Sequence, residues 1–197
     1  MGSAGVYEKL RKMLDAAFLS FPDAREGKNR QYTMEDLGRA AFGVFFCQSP
    51  SFLAHQQLME QAQGCNNGRT LFGITKLPSD NHIRHHLDGV DPALLRPVYQ
   101  QTIDYLNERE VLKPFRSLGG TLLVALDGTG YFSSEAISCD QCSITHRSDG
   151  HTLYSHSALM AAIVAPGVKH VLPLQMEFIC PQDGSAKQDC EQRAAHR

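Results

Sequence analysis

The hydrophobic pattern of this chain changes its period at Leu118-Gly119-Gly120, and this change limits the folds open to it. Before the tripeptide, apolar side chains recur at three- and four-residue steps, which is typical of amphipathic helices. After it, Thr121 to Leu126 form a continuous apolar and β-branched run, which is typical of a buried strand. The chain is therefore predicted to be α+β, with a helical domain over residues 1–116 and a strand-containing domain over residues 117–197.

The helical part contains recognisable helix starts and stops. Thr33 followed by Asp36 predicts a capping box at the beginning of one helix. Another helix is predicted over Phe52–Gln63, and the glycines at the ends of Gly64–Gly68 predict a turn after it. These signals divide the first 116 residues into several short helices.

A longer helix is predicted to open at Asp91-Pro92, which has the residue types of an N-cap and a first-turn proline. Pro97 follows five residues later, and it lacks the backbone N–H that a helix interior uses. We expect Pro97 to bend this helix or to delay its start.

The second part reads as strands followed by the beginning of a helix. Asp127-Gly128-Thr129-Gly130 predicts a turn after the first strand, and Ser148-Asp149-Gly150 predicts a hairpin between two more strands. A further strand is expected over Val168–Leu174. Ser185 with Gln188 has capping-box spacing and predicts a helix from about Ala186 to Arg197.

Composition excludes several classes of protein. The chain has 42% hydrophobic residues, which suffices for a folded core. Its longest apolar stretch, Ala158 to Ala165, is less than half of the ~18 to 20 residues of a membrane span. Residues Met1 to Tyr7 lack the basic start and apolar block of a secretory signal. We expect a cytoplasmic protein without a membrane partner, and its six cysteines are expected to be reduced thiols.

Asp127 is the strongest candidate for a site residue. A carboxylate held at the end of a strand is a rigid, hard oxygen ligand, which suits Mg²⁺. The alternative is that Asp127 only accepts hydrogen bonds from the backbone of a glycine turn. Two chemistries that use an acid near Gly and Thr are excluded. Phosphatases with an Asp-x-Asp-Gly-Thr motif use the first Asp as nucleophile, and position 125 is Ala here. Aspartic proteases have Asp followed directly by Thr or Ser and then Gly, whereas Gly128 precedes Thr129 here.

The wider sequence around Asp127 resembles insertion-sequence transposases of the DDE type, over about residues 70–197. The residues that carry this resemblance are Leu77-Pro78-Ser79-Asp80, Ile83-Arg84, Leu87-Asp88, Ala125-Leu126-Asp127-Gly128-Thr129, Tyr131, Ser133, Ser134, Cys139, Cys142, His156, Pro166-Gly167, Leu172-Pro173-Leu174, Glu177-Phe178, Lys187-Gln188-Asp189-Cys190-Glu191, Ala194, Ala195 and Arg197. The linked set is more specific than any of its parts.

The resemblance implies an RNase H-like core in which three acids hold two Mg²⁺ ions for DNA cleavage and strand transfer. Asp127 matches the first acid, and it is the single catalytic and metal-binding residue carried over. The second acid is implied beyond the helix opened by Ser185, so the chain to Arg197 is expected to be an inactive N-terminal part of a transposase. Transposon-end DNA and a second copy of the chain are the implied partners, while the DNA-binding residues stay unknown.

Two other interpretations stay open from the residues alone. The chain could be a non-catalytic DNA- or protein-binding module; its formal net charge of -2 means that any DNA contact must use a local patch. It could also be a small zinc-binding domain, because Cys139 and Cys142 are half of a zinc-ligand pattern. The residues that could complete that pattern are His146, His151, His156, Cys180 and Cys190.

A histidine cluster follows Ser79, where a short helix is predicted. His82 and His86 are four residues apart and could share a metal, and with His85 and Arg84 they could instead contact phosphate. A solvated polar helix face is the more ordinary interpretation.

Overall fold

The structure of the protein is a computed structural model that describes residues 3–26, 30–180 and 191–196. The chain divides into two compact units, Met1–Val98 and Tyr99–Arg197. Helices and an antiparallel sheet together make it an α+β protein, as predicted. Among the described residues, no helix combines the length and the apolar content needed to cross a bilayer.

The first unit is built from helices. They are α1 (Ser3–Leu19), α2 (Met34–Phe46), α3 (Phe52–Glu60), α4 (Ala62–Leu71), α5 (Asp80–Leu87), a 3₁₀ helix (Pro92–Leu95) and the first residues of α6 (Arg96–Glu108). The capping box is confirmed, since the Thr33 hydroxyl accepts from the Asp36 N–H and the Asp36 carboxylate accepts from the Thr33 N–H. The expected delay at Pro97 is confirmed as well, because Asp91 caps the 3₁₀ helix and α6 begins only at Arg96.

The core of this unit lies where α2 meets its neighbours. Leu37 and Ala40 on α2 are fully buried. They belong to one apolar cluster with Met59 of α3, Phe72 directly after α4, and Ile83 of α5. The ring of Phe18 on α1 lies against Gly38 of α2, where a Cβ would be 2.6 Å from the ring. Apolar burial therefore joins five short helices that would each be marginal alone.

The turn predicted over Gly64–Gly68 is wrong, because both glycines lie inside α4. The α3–α4 connection is a single extended residue, Gln61, so α4 folds back directly against the end of α3. A Cβ on Gly64 would lie 2.1 Å from the Leu58 carbonyl oxygen, and one on Gly68 would lie 3.3 Å from the Met59 methyl. These glycines permit close helix packing, which the local sequence does not distinguish from a turn.

Replacement of Gly64 tests this packing. Gly64→Ala is expected to lower the free energy of unfolding by about 1–3 kcal/mol, because the methyl group meets backbone atoms that cannot move aside. Gly5→Ala is the matched control: Gly5 lies in α1 with open space around it, and the change is expected to be neutral to about 0.5 kcal/mol stabilising. Urea unfolding followed by circular dichroism measures both; equal effects would contradict the assigned packing.

His55 is a buried polar side chain that the sequence did not reveal as special. It is 2% exposed, its Nδ1 lies 2.9 Å from the Ser49 hydroxyl oxygen, and its Nε2 has no hydrogen-bond partner among the described residues. Burial lowers the pKa of this imidazole below the usual value. Burial therefore favours the neutral imidazole in the folded protein, while the unfolded chain protonates His55 below about pH 6.5.

This difference predicts a loss of stability in acid. Because the unfolded state binds the extra proton, the free energy of unfolding has its full value, as far as His55 is concerned, above about pH 6.5. Below that pH it falls by at most about 1.4 kcal/mol per pH unit. The expected result is that His55→Gln flattens the pH dependence of the unfolding free energy between about pH 7.5 and pH 5. Parallel pH profiles for the two proteins would show that His55 is protonated equally in both states.

The second unit holds the sheet. Its elements are the rest of α6, a 3₁₀ helix (Lys113–Phe115), β1 (Arg116–Ser117), a 3₁₀ turn (Leu118–Gly120), β2 (Thr121–Ser134), β3 (Ser143–His146), β4 (Thr152–Val164), β5 (Leu172–Ile179) and α7 (Glu191–Ala194). The period change at Leu118-Gly119-Gly120 coincides with the turn between β1 and β2, inside the second unit; all three residues have positive φ, and Leu118 is 85% exposed. The predicted hairpin is confirmed by β3 and β4.

Strand β4 is central and antiparallel to all its partners. Along one edge it pairs with β2, from Leu123 opposite Val164 to Ser134 opposite Tyr154. Along the other edge it pairs with β3 near its start and with β5 over the rest of its length. On one face, Ile163 packs with Leu112, Phe115 and side chains of α6 in the largest apolar cluster of this unit.

Two strand predictions need correction. Asp127-Gly128-Thr129-Gly130 is not a turn, because β2 runs through it and Gly128 pairs with Leu159 of β4. The ladder to β4 keeps this glycine-rich segment extended, and local sequence does not contain that information. The last strand is shifted, from Val168–Leu174 to Leu172–Ile179. The helix expected over 186–197 is described only at Glu191–Ala194; residues 181–190 lie outside the described part.

Candidate functional site

Asp127 lies in the middle of β2, not at the end of a strand. Its neighbour across the ladder is Met160 of β4, which in turn pairs with Met176 of β5. Its carboxylate is exposed and has no hydrogen-bond or ion-pair partner among the described residues. The interpretation of Asp127 as an acceptor for turn N–H groups is therefore wrong. The ladder fixes the backbone at Asp127, and an exposed carboxylate projects from it.

The surroundings of Asp127 form only part of a Mg²⁺ site. In the described part of the chain, no group of three or more acids, histidines and cysteines gathers around it. The thioethers of Met160 and Met176 are soft donors, whereas Mg²⁺ requires oxygen ligands. The described residues thus give Mg²⁺ one carboxylate and do not complete its coordination.

The other described acids of this unit do not join Asp127. Glu177 pairs with Leu159 in the ladder and lies on the opposite face of the sheet, where Glu191 of α7 approaches Gly128. That face holds an open groove lined by small hydroxyl side chains, including Ser155 and Ser157. Polar groups on this groove are therefore separated from Asp127 by the sheet itself.

Asp127→Asn is expected to leave the fold intact. The side chain is exposed and has no described partner, so the free energy of unfolding should change by less than about 0.5 kcal/mol. Asp149→Asn is the contrasting variant, because Asp149 accepts a hydrogen bond from the His151 N–H in the β3–β4 turn. Thermal unfolding of both variants measures the difference; a larger loss in Asp127→Asn would mean that its carboxylate has a structural partner.

A second group of ligand atoms lies at the far end of the same sheet. Sγ of Cys139 is 3.7 Å from Sγ of Cys142, and each sulfur is 3.3 Å from Nε2 of His156. The two cysteines belong to the loop between β2 and β3, and His156 belongs to β4. Of the five residues that could complete the Cys139-x-x-Cys142 pattern, the structure brings His156 to it.

Local structure holds these ligand atoms in place. The N–H of Cys139 donates to Sγ of Cys142 at 3.3 Å, and the N–H of Cys142 donates to the Cys139 carbonyl at 3.1 Å, which closes a tight turn. The ring of Tyr131 stacks on the His156 imidazole at 5.8 Å and 15°. Tyr131 occupies an irregularity of the β2–β4 ladder, so a bulge directs its ring toward the site.

The remaining candidate ligands have other positions. Nδ1 of His146 lies 3.2 Å from the Thr152 hydroxyl, and Nδ1 of His151 lies 3.4 Å from the Glu135 carboxylate. Cys190 lies outside the described residues. Cys180 directly follows β5, the strand that pairs with β4, which carries His156.

The histidine cluster of the helical unit is an exposed face of α5. Nδ1 of His82 lies 2.9 Å from the Ser79 hydroxyl, and the rings of His82 and His86 are 6.0 Å apart. The Arg84 guanidinium pairs with Asp80 at 2.6 Å. Elsewhere in this unit three arginines are paired with acids: Arg11 with Glu8 and Asp15, and Arg25 and Arg30 with Asp23.

Comparison with known proteins yields no match: no family model, no curated protein and no solved structure is similar to this chain at a significant level. The chemistry of Asp127 and of the cysteine–histidine group is therefore interpreted from the residues and their geometry.

Proposed function

We propose that this chain is part of a DDE-type DNA transposase and that Asp127 is the first of the three metal-binding acids. One observation carries the proposal: an exposed carboxylate is fixed in the middle of a hydrogen-bonded strand, within the segment that resembles the transposases. The carboxylates of a two-metal site must be held rigidly so that the ions can be positioned for in-line attack. Strand β2 offers Asp127 that rigidity.

The finer fold that we propose for the second unit is the opening of an RNase H-like core. Strand β2 would be the strand that presents the first acid. In the described residues, the edge of β2 opposite β4 is paired only at Thr121 and Leu122, with β1. A further strand on the rest of that edge would place a side chain about 4.5–5.5 Å from Asp127, close enough for two acids to share metal ions.

Magnesium would supply the chemistry once the full set of acids is present, by activating water or a 3′-hydroxyl for attack on a phosphodiester. Among the described residues, Asp127 is the carboxylate that we assign to that set, and Glu177 and Glu191 lie on the other face of the sheet. We therefore propose that the 197-residue chain is inactive in cleavage and strand transfer on its own.

Transposon-end DNA is the proposed partner, with a second copy of the chain as a further candidate. The observation that favours a local DNA contact is the exposed face of α5, where His82, His85 and His86 surround Arg84 in an open groove. Imidazole and guanidinium groups donate hydrogen bonds to phosphate oxygens. A non-catalytic DNA- or protein-binding module is the alternative that these same residues allow.

The test of the proposed activity uses DNA from the two ends of the element that encodes the chain. In a mobility-shift assay we expect end DNA to bind more tightly than shuffled DNA, with an affinity that falls as salt rises. With Mg²⁺, the 197-residue chain is expected to leave the DNA uncut. The complete transposase of which this chain is proposed to be part is expected to cut it, and Asp127→Asn should reduce that rate by about 100-fold or more.

Asp149→Asn is the control, because its carboxylate lies in an exposed turn and should leave cleavage unchanged. Cleavage that survives Asp127→Asn would overturn the catalytic assignment. Specific DNA binding without Mg²⁺-dependent cutting by the complete protein would favour the non-catalytic module. Binding to neither DNA would remove both DNA-based functions.

A further inference from the structure

The cysteine–histidine group has the dimensions of a tetrahedral metal site. Zinc binds cysteine sulfur at about 2.3 Å and imidazole nitrogen at about 2.0–2.1 Å, so tetrahedral angles separate two sulfurs by about 3.8 Å and a sulfur from a nitrogen by about 3.6 Å. The sulfurs of Cys139 and Cys142 are 3.7 Å apart, and each is 3.3 Å from Nε2 of His156. All three edges of the triangle are thus within about 0.3 Å of those of a zinc site.

The donor atoms also select the kind of metal. Two thiolates and an imidazole are soft and borderline ligands, which favour zinc over magnesium or calcium. The Cys139 N–H, which donates to Sγ of Cys142, stabilises negative charge on that sulfur. The stacked ring of Tyr131 and the tilted ring of Phe132 fix the plane of the His156 imidazole.

The register of β4 with β5 indicates which residue could be the fourth ligand. Ser157 of β4 pairs with Ile179 of β5, so the next position of this antiparallel ladder places Cys180 opposite His156. Residues opposite one another project from the same face of a sheet.

We propose that Cys139, Cys142, His156 and Cys180 bind one structural zinc ion. Sγ of Cys180 lies 3.8 Å from the Phe178 carbonyl oxygen and outside the triangle of the other three ligand atoms, so binding of the metal requires the Cys180 side chain to move. Four protein ligands close the coordination sphere, which is typical of a structural rather than a catalytic zinc. The ion joins the β2–β3 loop to β4 and to the end of β5, and it does not depend on the function of Asp127.

The primary test is the metal content of the full 197-residue chain, purified without a metal-affinity tag from zinc-supplemented medium under reducing conditions. We expect about one zinc per chain. Cys142→Ser and His156→Gln should each lose it, while Cys47→Ser, a thiol change in the helical unit, should keep it. Zinc-free wild-type protein, or zinc retained by both ligand variants, would overturn the proposal.

Cobalt substitution tests the fourth ligand separately. The sulfur-to-cobalt charge-transfer absorption increases with the number of thiolates, so Cys180→Ser should retain tetrahedral bands with about two-thirds of the wild-type charge-transfer intensity. Its zinc affinity should fall by about 10–100-fold. An unchanged spectrum and affinity would remove Cys180 from the site.

The melting temperature of the wild-type chain tests the zinc site even if the ligand variants do not fold. Chelation should lower the melting temperature by at least about 5 °C, and zinc, but not magnesium, should restore it. A melting temperature that chelation does not change would overturn the structural role. A Cys139–Cys142 disulfide already present in protein isolated under the reducing conditions above would overturn the metal site itself.

Discussion

The two-sided hydrogen-bond ladder of β4 is the constraint on which the second unit depends. It holds β2 along one edge and β3 and β5 along the other, so the positions of all long strands are fixed relative to a single segment, Thr152–Val164. A shift of one residue in this register would move every side chain to the other face. Asp127 would then lie on the groove face, and His156 would leave Cys139 and Cys142.

The same ladder separates two kinds of metal chemistry along one sheet. Near its middle, β2 presents the hard oxygen of Asp127 to solvent; near its end, β4 and the β2–β3 loop gather sulfur and nitrogen donors around His156. Hard and soft donor sets bind different ions, so the two positions need not compete for one metal. In our proposal, zinc fixes the loop that follows β2, the strand that carries Asp127.

The sequence predicted correctly those helix ends and turns that depend on neighbouring residues alone. The capping box at Thr33, the delayed helix at Pro97 and the turn at Ser148-Asp149-Gly150 all depend on residues within a few positions of one another. The glycines of Gly64–Gly68 and Asp127–Gly130 were misleading, because close approach of another helix or strand decides whether a glycine ends an element or lies within it.

In the candidate sites, too, features that depend on neighbouring residues could be predicted, whereas features that depend on strand pairing could not. Asp127 could be chosen from its motif, although its place in mid-strand could not, since β4 imposes it. The Cys139-x-x-Cys142 spacing gave half of a metal site, but five residues could have completed it. The choice of His156 follows from cross-strand register over 14 and 17 residues, which has no local signature.

X-ray absorption spectroscopy at the zinc edge, on the metal-loaded chain, measures the ligand set directly. Our account predicts three sulfurs at about 2.3 Å and one nitrogen at about 2.0–2.1 Å, as the register of β4 with β2 and β5 requires. A shell containing only oxygen and nitrogen would contradict it, because the sulfurs of the β2–β3 loop would then not meet His156.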